Sequence, residues 1–421
     1  MICKAKLDYN KRPNILRLLH TSDWHLGHHL FDKKRVEEHD FFLEWLIDTL
    51  ESYKIDILLI AGDIFDNGYP PNYAMEQYYN FLKLLPQTRC KNVVIIGGNH
   101  DSPSTLNAPR EILKFLNVYV VGGVEQNISK EIIICNDSKD KPIGIICAVP
   151  FIRPRDINKI NPGQSYSEKE DSYKNGVILH YKKIWEKSLI EKQKLDIPLI
   201  ATGHLCTAGE SLKQTGSEKD LYIGNQGKIP SSCFNSDFDY IALGHIHQAQ
   251  KISQMEHIRY CGSPIPLSFK EASKNKSVCI ANFQGNSLIN VENVEIPFFR
   301  NIFFLKGNID TIENNIKNYN NDNNYNLNSW VELQIINENN NKISDELIKY
   351  HAKEKQIEII KSAWLTESSK TLTIDDGPEL NELKPEDVFL KLCKTKNYDN
   401  DTQQELVRSF RELLLSIEDF L

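Results

Sequence analysis

Short apolar runs punctuate the first two thirds of the chain. Ile15–His20, Ile57–Ala61, Val93–Gly97, Ile143–Pro150, Leu199–Gly203 and Tyr240–Gly244 each end in polar or glycine-rich turns. Runs of this length, apolar at consecutive positions, are typical of strands covered on both faces. Between the first two, Phe42, Trp45, Leu46 and Leu50 recur at helical spacing and predict an amphipathic helix. Alternating strands and helices make the chain α/β, with sheets flanked by helices. Arg153–Lys174, broken by Pro154, Pro162 and Gly163, reads as a long loop, with a helix from about Gly176 to Lys194 after it. Thr207–Lys228, rich in Gly, Ser and Lys, reads as a second long loop.

The texture changes after about Pro297. Asn301–Lys306, Trp330–Ile336 and Ile357–Lys361 look like strands with helical stretches between them, which predicts a small separate α/β domain. The asparagine-rich Asn318–Asn341 reads as a surface loop. At the end, Pro385 suits a first helical turn and Val388, Phe389 and Leu392 follow on one face. Leu406, Phe410, Leu413, Leu414 and Ile417 form a second amphipathic helix. Spacing leaves open whether this pair packs back on the chain or docks on a partner.

Composition narrows the class. A chain of 421 residues with 40% hydrophobic and 25% charged residues is globular and holds more than one domain. No apolar run reaches membrane-spanning length, and Met1–Pro13 lacks a signal-type apolar stretch, so the expectation is a cytoplasmic protein with no membrane association. The nine cysteines contain no Cys-x-x-Cys pair. Cys135, Cys147, Cys261 and Cys279 lie in strand-like runs and read as small core residues in a reducing compartment, while Cys206 stands close to a histidine of interest. A net charge of −7 gives no sign of a broad nucleic-acid-binding surface.

The chemistry lies where the strands end. The first ends in Asp23-Trp24-His25, the second in Gly62-Asp63-Ile64-Phe65-Asp66, the third in Asn99-His100-Asp101, and later ones in His204 and in His245-Ile246-His247. Ligands of open α/β sheets bind at that edge. Carboxylate and imidazole donors suit Mn, Fe or Zn, and a bridging carboxylate, for which Asp63 is the natural candidate, can join two ions about 3.5–4 Å apart. Residues two apart in an extended segment point the same way, so Asp23 with His25, and His245 with His247, would each reach one site. One such fragment alone is commonplace; the ordered set is not. His28, His29, His39, His180, His257 and His351 lack this support and read as ordinary residues.

With these fragments the sequence resembles the calcineurin-like metallophosphoesterase superfamily. More closely it resembles the bacterial branch of the DNA double-strand-break nucleases, the nuclease subunits of SbcCD-type complexes. The matching stretches are His20–Gly27, Ala61–Asp66, Gly97–Ser102, Pro150–Ile157, Ile200–Leu205 and Asp239–Phe269, the Gly262-Ser263-Pro264 and Pro150–Arg155 segments being the most specific. The resemblance implies a metallophosphoesterase β-sandwich over 1–297, a DNA-facing cap domain over 298–377, and C-terminal helices over 378–421 that dock on the ATPase SbcC. It implies one metal on Asp23, His25, Asp63 and His247 and a second on Asp63, Asn99, His204 and His245, both Mn. His100 becomes the catalytic histidine, and Asp101 its orienting partner. Relatives outside bacteria often carry histidine at the position of Asp66, which puts a direct catalytic role for that residue in doubt. The implied activity is exonuclease on double-stranded ends and endonuclease on single strands and hairpins, in a homodimer.

The chain has no Gly-x-x-x-x-Gly-Lys-Ser/Thr loop, so ATP use would fall to the partner. Lys33, Lys34, Arg35, Arg153 and Arg155 are candidate DNA contacts by charge and position. The enzymatic alternative is a phosphatase or cyclic-nucleotide phosphodiesterase. Phosphatases of the superfamily place an arginine after the second motif, where this chain has Asn67 and Gly68. A non-catalytic scaffold would lack ligands, and here every ligand position is filled.

Overall fold

The computed structural model describes residues 15–157, 166–208, 228–321, 325–337 and 343–366, with isolated positions 389, 406, 409 and 410. Expectations for 158–165, 209–227 and most of the C-terminal helical pair lie outside the described residues. Within that pair, the rings of Phe389 and Phe410 stack at 4.2 Å.

Leaving aside two-residue ladders, the strands in chain order are β1 (Ile15–Thr21), β2 (Ile57–Ala61), β3 (Asn92–Ile96), β4 (Val118–Val121), β5 (Ile132–Asn136), β6 (Pro142–Cys147), β7 (Leu199–His204), β8 (Tyr240–Gly244), β9 (Gln250–Ile252), β10 (Met255–Tyr260), β11 (Ser277–Gln284) and β12 (Ser287–Glu295). They form two six-stranded sheets, ordered β12-β11-β1-β2-β3-β4 and β9-β10-β8-β7-β6-β5. β1 through β4 run parallel, as do β6, β7, β8 and β10, and antiparallel strands close the sheets.

Strand periodicity explains the layering. Side chains alternate between faces, so Leu18, Ile57, Leu59, Val94 and Ile96 meet Ile146, Ile200, Tyr240 and Ala242 between the sheets. The alternate residues Leu19, Leu58, Ile60, Val93 and Ile95 meet helices α1 (Val36–Ser52) and α2 (Asn72–Leu84). On the far side, Ile145, Leu199, Ala201 and Ile241 pack on Val177, Tyr181 and Ile184 of helix α3 (Tyr166–Leu195). The result is a sandwich of two sheets between helices. Strands covered on both faces have no polar side, which is why they read as continuous apolar runs.

Helix α3 starts earlier than the sequence predicts. No proline or glycine interrupts 166–175, and a Glu170–Lys174 pair at 2.7 Å supports that turn. Among the described residues of the proline-containing stretch before it, Pro154–Ile157 form a short helix.

After the sandwich come β13 (Ile302–Gly307), β14 (Ser329–Asn337) and β15 (Ile357–Thr366), with helices α4 (Ile309–Lys317) and α5 (Ile343–Glu354). Their core of Ile312, Ile316, Val331, Leu333, Ile335 and Ile348 is separate from the sandwich. Residues 1–335 and 340–364 nevertheless form one compact unit, while 336–339 and 365–421 form another. This smaller α/β region is held to α1 by a buried charge cluster. Arg35 and Arg300 each donate to Glu38 Oε1 at 2.8 Å. Both guanidiniums lie over Trp330, at 5.6 and 4.1 Å. Burial alone would raise the Glu38 carboxyl, but the two guanidiniums outweigh it and hold it below the usual range.

Candidate metal centre

The first ligands are presented by a turn that continues the sheet without being strand. Asp23 N donates to Gly62 O at 2.9 Å, His25 N to Asp63 O at 3.0 Å and Leu26 N to Ile64 O at 2.9 Å. The loops after β1 and β2 are thereby zipped together. Trp24 turns away, buried edge-on between Phe42 and Phe81, and its indole donates to Thr21 Oγ1 at 3.0 Å. Asp23 and His25 adopt left-handed backbone, with φ of 54° and 49°. The expected extended geometry is therefore replaced by a tight turn, held by those backbone bonds.

Three overlapping ligand sets emerge among the described residues, one of them His25, Asp63 and His100. Asp23, His25 and His247 each offer an atom within 4.8 Å of the others, as do Asp23, Asp63 and His204. His25 Nε2 lies 3.6 Å from Asp63 Oδ2. On the other side, His204 Nε2 lies 3.1 Å from Asp63 Oδ2 and 3.0 Å from Asn99 Oδ1, and His245 Nδ1 lies 3.1 Å from Asn99 Oδ1. His245 and His247 thus part company, one beside Asn99 and one beside His25, whose rings are 5.1 Å apart. The backbone at His245, with φ of 97°, breaks the two-residue alternation.

The donor chemistry fits divalent cations. His204 Nδ1 donates to Ala61 O at 2.9 Å, which leaves the Nε2 lone pair facing two oxygen acceptors. Convergent lone pairs need a cation. A proton supplies one charge, and so His204 rises to about 9: burial opposes this, and the Asp63 carboxylate prevails. Asp63 in turn sits well below the usual range despite its burial, because of His204, His25 and His100. Burial lowers His25, and pushes His245 down to about 3. Two ligand atoms held about 2.1 Å from one ion lie about 3–3.5 Å apart, which matches the His204–Asp63 and His204–Asn99 spacings of 3.1 and 3.0 Å, and the His25–Asp63 spacing of 3.6 Å is slightly longer. Nitrogen and oxygen donors of this kind suit Mn, Fe or Zn.

Glycine gives the Asp63 carboxylate its room. A β-carbon on Gly98 would lie 2.1 Å from Asp63 Oδ1 and 2.4 Å from Asp63 N, and one on Gly62, at φ 89°, would lie 2.3 Å from His204 Nδ1.

His100 stands at the edge of the set. Its amide donates to Asp63 Oδ1 at 2.9 Å, and its Nδ1 donates to the Asp66 carbonyl at 2.6 Å. Asp101 differs from expectation. Its carboxylate accepts from Gly98 N, Phe65 N and Ile64 N at 2.9, 3.0 and 3.1 Å, so it pins the backbone on either side of the site, while the Asp66 carbonyl orients His100. Burial and the Asp63 charge push the Asp101 carboxyl up to about 6, against the pull of those three amides.

Of the basic candidates, Arg35 is buried on Glu38 and on Pro266 O, which removes it from any DNA surface. Lys33 pairs with Glu358 of the smaller α/β region. Arg153 donates to Asp101 O at 2.8 Å and so braces the His100 loop. Lys34 and Arg155 are exposed. His39 donates to Trp24 O at 2.9 Å and supports the first turn, whereas His180 pairs with Glu131 far along the fold. Two partners escape sequence reading. Asp66 accepts from His25 and His28, which with burial working against them hold its carboxyl below the usual range. Glu271 lies 3.5 Å from His247 and 2.7 Å from buried Lys276. Nothing in the polar stretch around Glu271 marks it out; Asp66 carries only its closeness to Asp63.

The family described as calcineurin-like phosphoesterase matches residues 16–249. SbcD, the D component of the nuclease SbcCD, from Escherichia coli (strain K12) is 36% identical over 400 residues, covering 95% of this chain and 98% of that protein. The proteins of the same name from Rhodobacter capsulatus and Bacillus subtilis are each 29% identical, over 65% and 63% of this chain and 67% and 66% of their own lengths. The chain belongs to the calcineurin-like phosphoesterases and, within them, to the SbcD family.

Proposed function

We propose that the chain is the metal-dependent nuclease subunit of an SbcCD-type complex. In this reading it cleaves double-stranded DNA exonucleolytically from its ends, and single strands and hairpins endonucleolytically, with Mn as its metal. The observation that carries the reading is the cluster around Asp63, whose Oδ2 lies 3.1 Å from His204 Nε2 and 3.6 Å from His25 Nε2, beside His100. Bound there, divalent cations would polarise a phosphate oxygen and lower the pKa of water. Asp23, His25, Asp63 and His247 would hold one cation, and Asp63, Asn99, His204 and His245 the other. His100, held through Nδ1–H by the Asp66 carbonyl, presents Nε2 to the phosphate. There it stabilises charge or passes a proton to the leaving oxygen. Asp101 keeps the backbone of Asp63 and Gly98 in register.

The test is end-labelled linear duplex DNA with Mn²⁺, with EDTA as control. Metal-dependent shortening is expected, and His100→Ala should keep metal while losing about 10²–10⁴-fold in rate. Full activity in that variant removes the assignment. Hydrolysis of small phosphodiesters or phosphoproteins without DNA cleavage moves the substrate elsewhere.

The name of the Escherichia coli relative supports assembly with SbcC. Residues 378–421 would dock on that ATPase and 298–377 would face DNA. Removing 378–421 should abolish co-purification with SbcC and spare cleavage by the isolated chain; normal co-purification contradicts the docking. Ile112, Phe115 and Leu116, which are 73%, 89% and 42% exposed just beyond the His100 loop, support pairing of two nuclease domains. Among the described residues no helix is long and apolar enough to cross a membrane. Work on chromosomal DNA with SbcC would put the chain in the cytoplasm.

A further inference from the structure

Asp66 holds two histidines with different tasks, by two different groups. Its carboxylate Oδ1 accepts from His25 Nδ1 at 3.2 Å, and its backbone carbonyl accepts from His100 Nδ1 at 2.6 Å. Each bond places a proton on Nδ1, which leaves the Nε2 lone pair of His25 for a cation and turns Nε2 of His100 towards the phosphate position. Those Nε2 atoms are buried with no hydrogen-bond partner, on rings 4.9 Å apart. His28 Nδ1 lies 2.9 Å from the same Oδ1, and His28 Nε2 lies 3.1 Å from Leu267 O. Leu267 N donates to Glu271 Oε2 at 3.2 Å, and Glu271 Oε1 lies 3.5 Å from His247. His28 therefore braces Asp66 against the segment that flanks the other imidazole of the first ligand set.

We propose that Asp66 is a positioning residue, whose carboxylate, braced by His28, fixes His25 as a metal ligand while its carbonyl independently fixes His100. The inference rests on the metallonuclease reading for the role of His100, but its first arm needs no DNA. A carboxylate behind a metal-binding imidazole sets the tautomer, aims the ring and raises its basicity, and losing such a partner typically weakens metal binding about 10–100-fold. The carbonyl is independent of the side chain, so the two tasks separate by mutation.

The experiment is equilibrium dialysis of the full chain against Mn²⁺ without DNA. Asp66→Ala should bind Mn²⁺ about 10–100-fold more weakly than wild type, with Asp66→Asn and His28→Ala between the two. Wild-type affinity in Asp66→Ala and Asp66→Asn overturns the proposal. If Asp66→Ala melts without cooperativity, the near-isosteric Asp66→Asn carries the same expectation and the same refutation. In the second arm, cleavage is followed against Mn²⁺ concentration. Excess Mn²⁺ should bring Asp66→Ala to within a few-fold of wild type, because the carbonyl still holds His100, and should leave His100→Ala unrescued. A defect in Asp66→Ala that excess Mn²⁺ does not repair overturns the division between side chain and carbonyl. Weakened Mn²⁺ binding in a chain that cuts no DNA overturns the substrate reading and leaves the carboxylate's role standing.

Discussion

Replacing Asp101 separates two accounts of that residue. Its carboxylate is 2% exposed and closes three backbone amides, at Gly98, Phe65 and Ile64. In Asp101→Ala all three donors lose their acceptor. A buried donor left unsatisfied costs about 1–3 kcal/mol. Water can enter the space the side chain vacates, so the expected loss is at the low end of the sum, about 3–5 kcal/mol. Asp101→Asn is milder. An amide oxygen in the place of Oδ2 keeps the Gly98 and Ile64 bonds, and the NH₂ then faces Phe65 N–H, at a cost of about 1–3 kcal/mol. Removing a charge that Asp63 repels offsets part of that. The expected order of stability is wild type, Asp101→Asn, Asp101→Ala, read by urea unfolding and tryptophan fluorescence. Because residues 64, 65 and 98 flank Asp63, Mn²⁺ affinity should fall in the same order. A side chain acting on the His100 ring would instead leave stability and Mn²⁺ affinity intact and lower kcat alone. An Asp101→Ala chain within about 0.5 kcal/mol of wild type, a typical surface-substitution effect, refutes the backbone-pinning account.

Gly98→Ala puts a methyl group 2.1 Å from Asp63 Oδ1, so metal analysis should find Mn²⁺ binding impaired; wild-type Mn²⁺ content would show that the loop yields cheaply. Glu38→Gln should destabilise by about 3 kcal/mol at neutral pH by leaving two buried guanidiniums without their carboxylate. The folded Glu38 carboxyl lies below its unfolded value, so its contribution is present above about pH 4.3 and is lost as pH falls through the lower folded value. Urea midpoints of wild type and Glu38→Gln should therefore converge in acid, and a constant gap from pH 7 to pH 3 would count against the pairing. Phe115→Glu should shift a dimer towards monomer in sedimentation without loss of fold, and an unchanged mass would exclude this patch from self-association.

Residue types at the strand ends carried the chemistry in the sequence itself. Asp23, His25, Asp63, Asn99, His204, His245 and His247 do gather at one edge, because parallel strands of a sheet deliver the loops at their carboxyl ends to one side. The helix through Phe42, Leu46 and Leu50 was equally plain, since its periodicity is local. The family resemblance already divided those residues into two sets, and tertiary structure alone supplied the backbone geometry behind the division. The left-handed turns at Asp23, His25 and His245 defeat alternation, sending His245 to Asn99 and His247 towards His25. Tertiary structure also took Asp101 from His100 to three amides, and Arg35 from the surface to the buried charge cluster at α1. The physical reason is range. Periodicity reports on neighbours a few residues apart, whereas His28 meets Leu267 across 239 positions and Arg35 meets Pro266 across 231. Partners so distant are chosen by the packing of sheet on sheet, and no local pattern records them.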